Sequence, residues 1–227
     1  MKRNIITLLI TVFAMLQATA QTYDNLWKQA DIIAQKDQPK SEIGVMKKII
    51  SKATAAKDYG QLLAAEIRQA ILWREISPDS LTPNVKRMET EALKAKDPVL
   101  KAVRYAVLGK VYREVNGKKS EEFFKKALEQ PELLARNASA GYVPLTLKGV
   151  DGSSFKNDLL HLIGFEADSK EAYHLMYTYY NKVENRGAAC LCAYKLIEKY
   201  RQDDVREVRK SKYLNTIDSL IHVYQDI

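Results

Sequence analysis

Apolar residues recur along most of this chain at steps of three and four, the spacing that places them on one face of an α-helix. From Asp24 to Gln35 the stripe is Leu26, Trp27, Ala30, Ile33 and Ala34. From Ser41 to Ala56 it is Ile43, Val45, Met46, Ile49, Ile50 and Ala53. Gln61 to Ile76 forms a third helix rich in Ala and Leu, and a weaker one is expected from Pro83 to Lys96. Asp97-Pro98 then reads as an N-cap followed by proline in the first turn, opening a helix through Val115. Ser120 to Gln130 and Pro131 to Ala138 follow as two shorter helices. The breaks between them are short: Pro39, Lys57-Asp58-Tyr59-Gly60, Ser77-Pro78 and Asn116-Gly117.

Helices of this length joined by short breaks predict hairpins that stack on their neighbours. One stretch comes close to a tetratricopeptide repeat. Tyr105, Leu108, Gly109 and Tyr112 reproduce the aromatic-x2-Leu-Gly-x2-Tyr of its first helix, and Phe124, Ala127 and Pro131 much of its second, displaced by one residue. In that reading Gly109 lets the partner helix approach closely, while Tyr112 and Phe124 fill the space between. The expected fold is all-α, a right-handed α-solenoid-like array of antiparallel helix hairpins.

The texture changes at Gly141. Residues 141–154 carry no helical period, several β-formers and three glycines, which predicts an extended linker between a repeat region at 21–140 and a second helical segment at 155–227. In that segment a short helix is expected from Asn157 to Ile163, ended by Gly164, and others at Ser169–Lys182, Arg186–Tyr200 and Asp204–Tyr224. Asp168-Ser169-Lys170-Glu171 and Asp203 look like helix starts.

The N-terminus sets the expected compartment. Lys2 and Arg3 precede an apolar stretch of about a dozen residues, Ile5 to Leu16, and Ala18-Thr19-Ala20 is a small-x-small cleavage pattern. A membrane anchor needs about 20 apolar residues, so a signal peptide at 1–20, cleaved after Ala20, is the better reading. The remaining chain is expected to be exported, periplasmic or envelope-associated, with no membrane span.

Composition agrees with a folded chain, 46% of it hydrophobic. Loss of Lys2 and Arg3 lowers the formal charge from +8 to +6, and the excess is scattered among acidic residues. A nucleic-acid footprint clusters its charge on one face, so no nucleic-acid partner is expected. Cys190 and Cys192 stand two apart in a helical run, about 200° apart around the axis, too divergent to pair with each other. They read as free thiols packed as small apolar groups.

The search for chemistry finds no catalytic, cofactor-binding or metal-binding set. His161, His174 and His222 lack ligand spacing, no nucleophile elbow or phosphate-cradling loop is present, and Glu121-Glu122 reads as surface. The one candidate ligand platform is aromatic: Tyr173, Tyr177 and Tyr180, beside His174 and Tyr179. Asp79-Ser80-Leu81 and Asp218-Ser219-Leu220 resemble a short acceptor for bacterial O-linked glycans.

Several segments resemble, in order and spacing, the N-terminal helical region of large exported bacterial alpha-2-macroglobulin-like proteins. They include Tyr23-Asp24-Asn25-Leu26-Trp27-Lys28-Gln29, Lys96-Asp97-Pro98-Val99-Leu100-Lys101-Ala102-Val103, Asn157-Asp158-Leu159-Leu160-His161-Leu162-Ile163-Gly164-Phe165-Glu166 and Asn185-Arg186-Gly187-Ala188-Ala189-Cys190. That family traps proteases with β-sandwich domains, a bait segment and often a thioester. Here Cys190-Leu191-Cys192-Ala193 departs from the thioester motif, and strand-rich domains are not expected to follow Ile227. The expectation is therefore a non-catalytic helical scaffold that binds a protein partner of the periplasm or cell envelope. The alternative is a carbohydrate- or small-ligand-binding helical domain using the tyrosines.

Overall fold

The computed structural model describes residues 22–77, 79, 81–113, 116–142, 151–203 and 217–224. The protein is all-α. Its helices are α1 (Tyr23–Ala34), α2 (Pro39–Ala56), α3 (Tyr59–Ile76), α4 (Leu81–Lys94), α5 (Pro98–Tyr112), α6 (Gly117–Ala127), α7 (Pro131–Ala135), α8 (Leu159–Ala167), α9 (Lys170–Lys182) and α10 (Arg186–Asp203). A 3-10 turn spans Ser139–Tyr142, and residues 217–224 are helical. Among the described residues no strand forms, and an isolated antiparallel bridge joins Ala138 and Asp158. The expected signal peptide lies outside the described residues.

Side-chain caps place most of these starts. Thr22 accepts from the Asn25 N–H at 3.3 Å, Asp58 from Gln61 at 3.3 Å, and Asp97 from Val99 and Leu100 at 2.9 and 3.0 Å. Each satisfies backbone donors that have no partner inside the helix. Pro39 and Pro98 occupy first turns, where a missing N–H costs nothing. Asn116 accepts from the Lys119 N–H at 3.1 Å, so Asn116-Gly117 starts α6 three residues earlier than Ser120, the expected start. Asp203, expected to open a helix, is instead the last residue of α10.

The chain divides into two compact units, Met1–Leu81 and Thr82–Ile227. In the first, α2 packs on both α1 and α3. Its core is hydrocarbon: Leu26, Ala30, Ile43, Val45, Met46, Ile49, Ala65 and Leu72, edged by Trp27, Ile33, Ile50 and Ile76. Burial of each large side chain contributes about 1.5–3 kcal/mol. Two polar ties cross it. The Trp27 indole donates to Gln61 Oε1 at 2.6 Å, and Arg68 Nε donates to the buried Glu42 carboxylate at 2.7 Å.

In the second unit α5 packs along α6 and α9 along α10, while α8 touches α5, α6, α7 and α9. Gly109 of α5 is where α6 comes closest: a Cβ there would lie 2.7 Å from the buried Phe124 ring. Ser120 Oγ donates to the Gly109 carbonyl at 2.7 Å, fixing the same crossing. Tyr112 packs across the same pair, stacked on Phe123 of α6 with centroids 5.5 Å apart, and donates to Glu89 of α4 at 2.7 Å.

Gly164 does not end a helix. It sits inside α8 against the Met176 thioether of α9, where a Cβ would come within 2.7 Å of Met176 Cε, so its lack of a side chain serves packing rather than termination. The stretch expected to be a linker, 141–154, is partly outside the described residues, at 143–150. Of the rest, Gly141 and Tyr142 complete the 3-10 turn and 151–154 form turns.

Candidate functional site

A seven-residue turn, 151–157, leads into α8, with Asp151, Lys156 and Asn157 at φ near 59°, 55° and 53°. The left-handed region costs a residue with a side chain about 1–2 kcal/mol, least for Asp and Asn, so something must hold this turn. Phe155 does: it is fully buried, stacked on His161 with centroids 4.1 Å apart, and meets Phe165 and Tyr180 edge-on. The Asn157 carbonyl accepts from Ser139 N–H and Oγ, both at 2.9 Å, and the Leu159 N–H donates to Asn137 at 2.9 Å. These bonds strap the end of α7 to the start of α8.

Asp158 stands at the centre of this strap as the N-cap of α8. Its Oδ1 accepts the His161 N–H at 2.8 Å, and the Tyr180 hydroxyl from α9 lies 3.0 Å from both carboxyl oxygens. The residue is 5% exposed. Burial pushes its carboxyl from 3.8 up to about 6, against the opposing pull of the His161 and Tyr180 hydrogen bonds and the charge of Lys156. The same burial, with the Asp158 charge, drives the Tyr180 hydroxyl far above its ordinary value and the Cys192 thiol up to about 12. Such a thiol stays protonated and inert. Cys190, also a free thiol, is raised by burial as well.

A second polar group closes the other end of α8. Tyr173 donates to Asp168 Oδ1 at 2.8 Å, and Lys199 of α10 donates to Oδ2 at 2.7 Å. Burial alone would raise the Asp168 carboxyl, but the Lys199 and Tyr173 hydrogen bonds and the nearby cations outweigh it and hold the group below its ordinary value. Glu166 binds Lys110 of α5 and Arg113, the C-cap of α5, each at 3.2 Å.

The three tyrosines of the expected platform sit at i, i+4 and i+7 on α9, one stripe as their spacing implies, but the stripe faces the core. Tyr173 and Tyr180 are each 2% exposed, and their hydroxyls are spent on Asp168 and Asp158. Tyr177 alone is partly accessible, its hydroxyl bonded to that of Tyr224, which donates to Asn181 Oδ1 at 3.2 Å. A flat face for a sugar ring is therefore not built from these three side chains. His174 is exposed, and Glu121 and Glu122 are at the surface.

Asp158 and Phe155 escaped the sequence reading as a centre, although a signal existed. Leu159-Leu160-His161-Leu162-Ile163 is apolar on every side but that of His161, and a helix of that kind is buried, its cap included. Among the described residues no group of three or more His, Cys, Asp or Glu is placed to hold a metal ion, and no helix is long and apolar enough to cross a membrane. No family model, curated protein or solved structure matches the chain.

Proposed function

We propose that the chain is an exported, non-catalytic helical scaffold that binds a protein partner in the periplasm or cell envelope. The observation that carries this reading is the repeated use of a glycine to bring consecutive helices into close contact, Gly109 against Phe124 and Gly164 against Met176. Stacked helical pairs of that construction expose extended outer faces suited to another polypeptide. The Tyr105, Leu108, Gly109 and Tyr112 pattern supports a tetratricopeptide-like hairpin at α5 and α6. The segments resembling the leading region of alpha-2-macroglobulin-like proteins support an envelope setting. The inward-facing Tyr173 and Tyr180 remove the main support for a glycan-binding reading.

The experiment has two parts. Expressed with its own leader in a bacterial host, the protein is expected in the periplasmic fraction with Gln21 as its first residue. Crosslinking in an envelope extract, read by mass spectrometry, is expected to join one protein to the outer helix faces reproducibly. Retention in the cytoplasm refutes export. Binding on a glycan array that is lost in Tyr177→Ala refutes the scaffold reading.

A further inference from the structure

The Tyr180 hydroxyl oxygen is equidistant, at 3.0 Å, from the two oxygens of Asp158. A phenol carries one proton, so with an ionised carboxylate one of these two contacts holds none. The ionised group then fills two of its roughly four acceptor sites, with the His161 N–H and that single proton, in a site 5% exposed. A protonated carboxyl supplies what is missing. Its Oδ2–H donates to the Tyr180 oxygen while the Tyr180 O–H donates to Oδ1, and both short contacts become hydrogen bonds.

We propose that Asp158 and Tyr180 form a proton-operated clasp, which holds α8, α9 and the 137–139 turn together when the carboxyl is protonated and slackens when it ionises. The titratable groups around it do not cancel the effect. Lys156, on the turn before α8, is exposed; Tyr179 and Tyr180 on α9 and Cys192 on α10 are all raised and remain neutral; His161 gives its backbone N–H and stacks its ring on Phe155. Burial that lifts the carboxyl to about 6 puts the change within reach of ordinary environmental pH. The slackening reaches the backbone directly, because the neighbours of Asp158 carry the strap: Asn157 accepts from Ser139, and Leu159 donates to Asn137. This device is independent of what the outer faces bind.

Carboxyl-carbon NMR of the purified protein tests the clasp without any substitution: the Asp158 resonance is expected to titrate at about 6 rather than 3.8. Amide hydrogen exchange at Ser139, Leu159 and His161, corrected for intrinsic rates, is expected to show protection falling about tenfold between roughly pH 5 and pH 7.5. In Asp158→Asn, which keeps a capping oxygen, protection should be level with pH. A carboxyl midpoint near 3.8 overturns the proposal. So does a fall in protection that persists in Asp158→Asn, since it places the titration on a group other than Asp158.

Discussion

Glu42 in the first unit and Asp158 in the second are both almost sealed from water, 2% and 5% exposed, yet they are compensated differently. Glu42 lies in a hydrocarbon core and is met by a guanidinium, Arg68 Nε at 2.7 Å. Asp158 lies among aromatic rings and is met by a backbone N–H and a phenol, both neutral. A charge-compensated carboxylate anchors a helix pair, whereas one held only by neutral donors also exchanges a proton. The pH response of this protein is therefore expected from the second unit.

The largest effect should come from removing the cation. Arg68→Ala leaves the buried Glu42 without its partner and, because the Arg68 side chain is itself 40% exposed, is expected to cost about 2–3 kcal/mol, whereas replacing both residues with Leu and Met is expected to be near neutral. Both tryptophans, Trp27 and Trp73, fall in the first unit, so urea unfolding followed by tryptophan fluorescence reads this change locally. A loss in Arg68→Ala below about 1 kcal/mol would show that water reaches Glu42 and would erase the contrast.

Next comes Tyr180→Phe. It removes the hydroxyl that both donates to and accepts from the protonated Asp158 carboxyl, and is expected to cost about 2 kcal/mol near pH 5 and less near neutral pH, where the clasp is slack. The sign follows from the raised carboxyl. Between 3.8 and about 6 the folded state binds the proton more tightly than the unfolded chain, so this contribution is full at low pH and is lost as pH rises through 6. Its size is about 3 kcal/mol. Asp168, held below its ordinary value, works in the opposite sense at lower pH. Melts followed by tyrosine near-ultraviolet dichroism report mainly the second unit; a pH slope identical in Tyr180→Phe would separate the hydroxyl from the proton.

What the sequence made legible follows the range of the forces involved. Helices were readable because their periodicity and caps are local: Asp97-Pro98 opened α5 and Ser169 capped α9 as expected. Gly109 was readable because a known spacing surrounds it. Gly164 was misread as a stop, since a glycine that ends a helix and one that admits Met176 look alike until the partner helix is placed. The tyrosine stripe of α9 was seen, but periodicity gives a stripe and not the direction it faces. Asp158 was passed over because its environment comes from Phe155, Tyr180 and Cys192, residues brought together only by tertiary packing.

The smallest effects concern the two glycines, and they ask whether the aromatic and polar core of the second unit yields where others would not. A methyl at Gly109 meets three carbons of the Phe124 ring at 2.7 to 2.9 Å, and a buried ring cannot bend away. Overpacking of that kind costs about 1–3 kcal/mol, reduced by the roughly 1 kcal/mol that alanine gains over glycine in a helix. Gly109→Ala is therefore expected to lose up to about 2 kcal/mol. At Gly164 the obstacle is the far end of Met176, whose sulfur and terminal methyl swing on flexible bonds. The helix gain then offsets most of the clash, and Gly164→Ala is expected within about 1 kcal/mol of the parent in guanidinium unfolding. Equal losses at the two sites would mean that Met176 is as fixed as Phe124. A clasp that slackens around Asp158 needs a yielding neighbour, so a rigid contact between α8 and α9 would confine any loosening to the 137–139 turn.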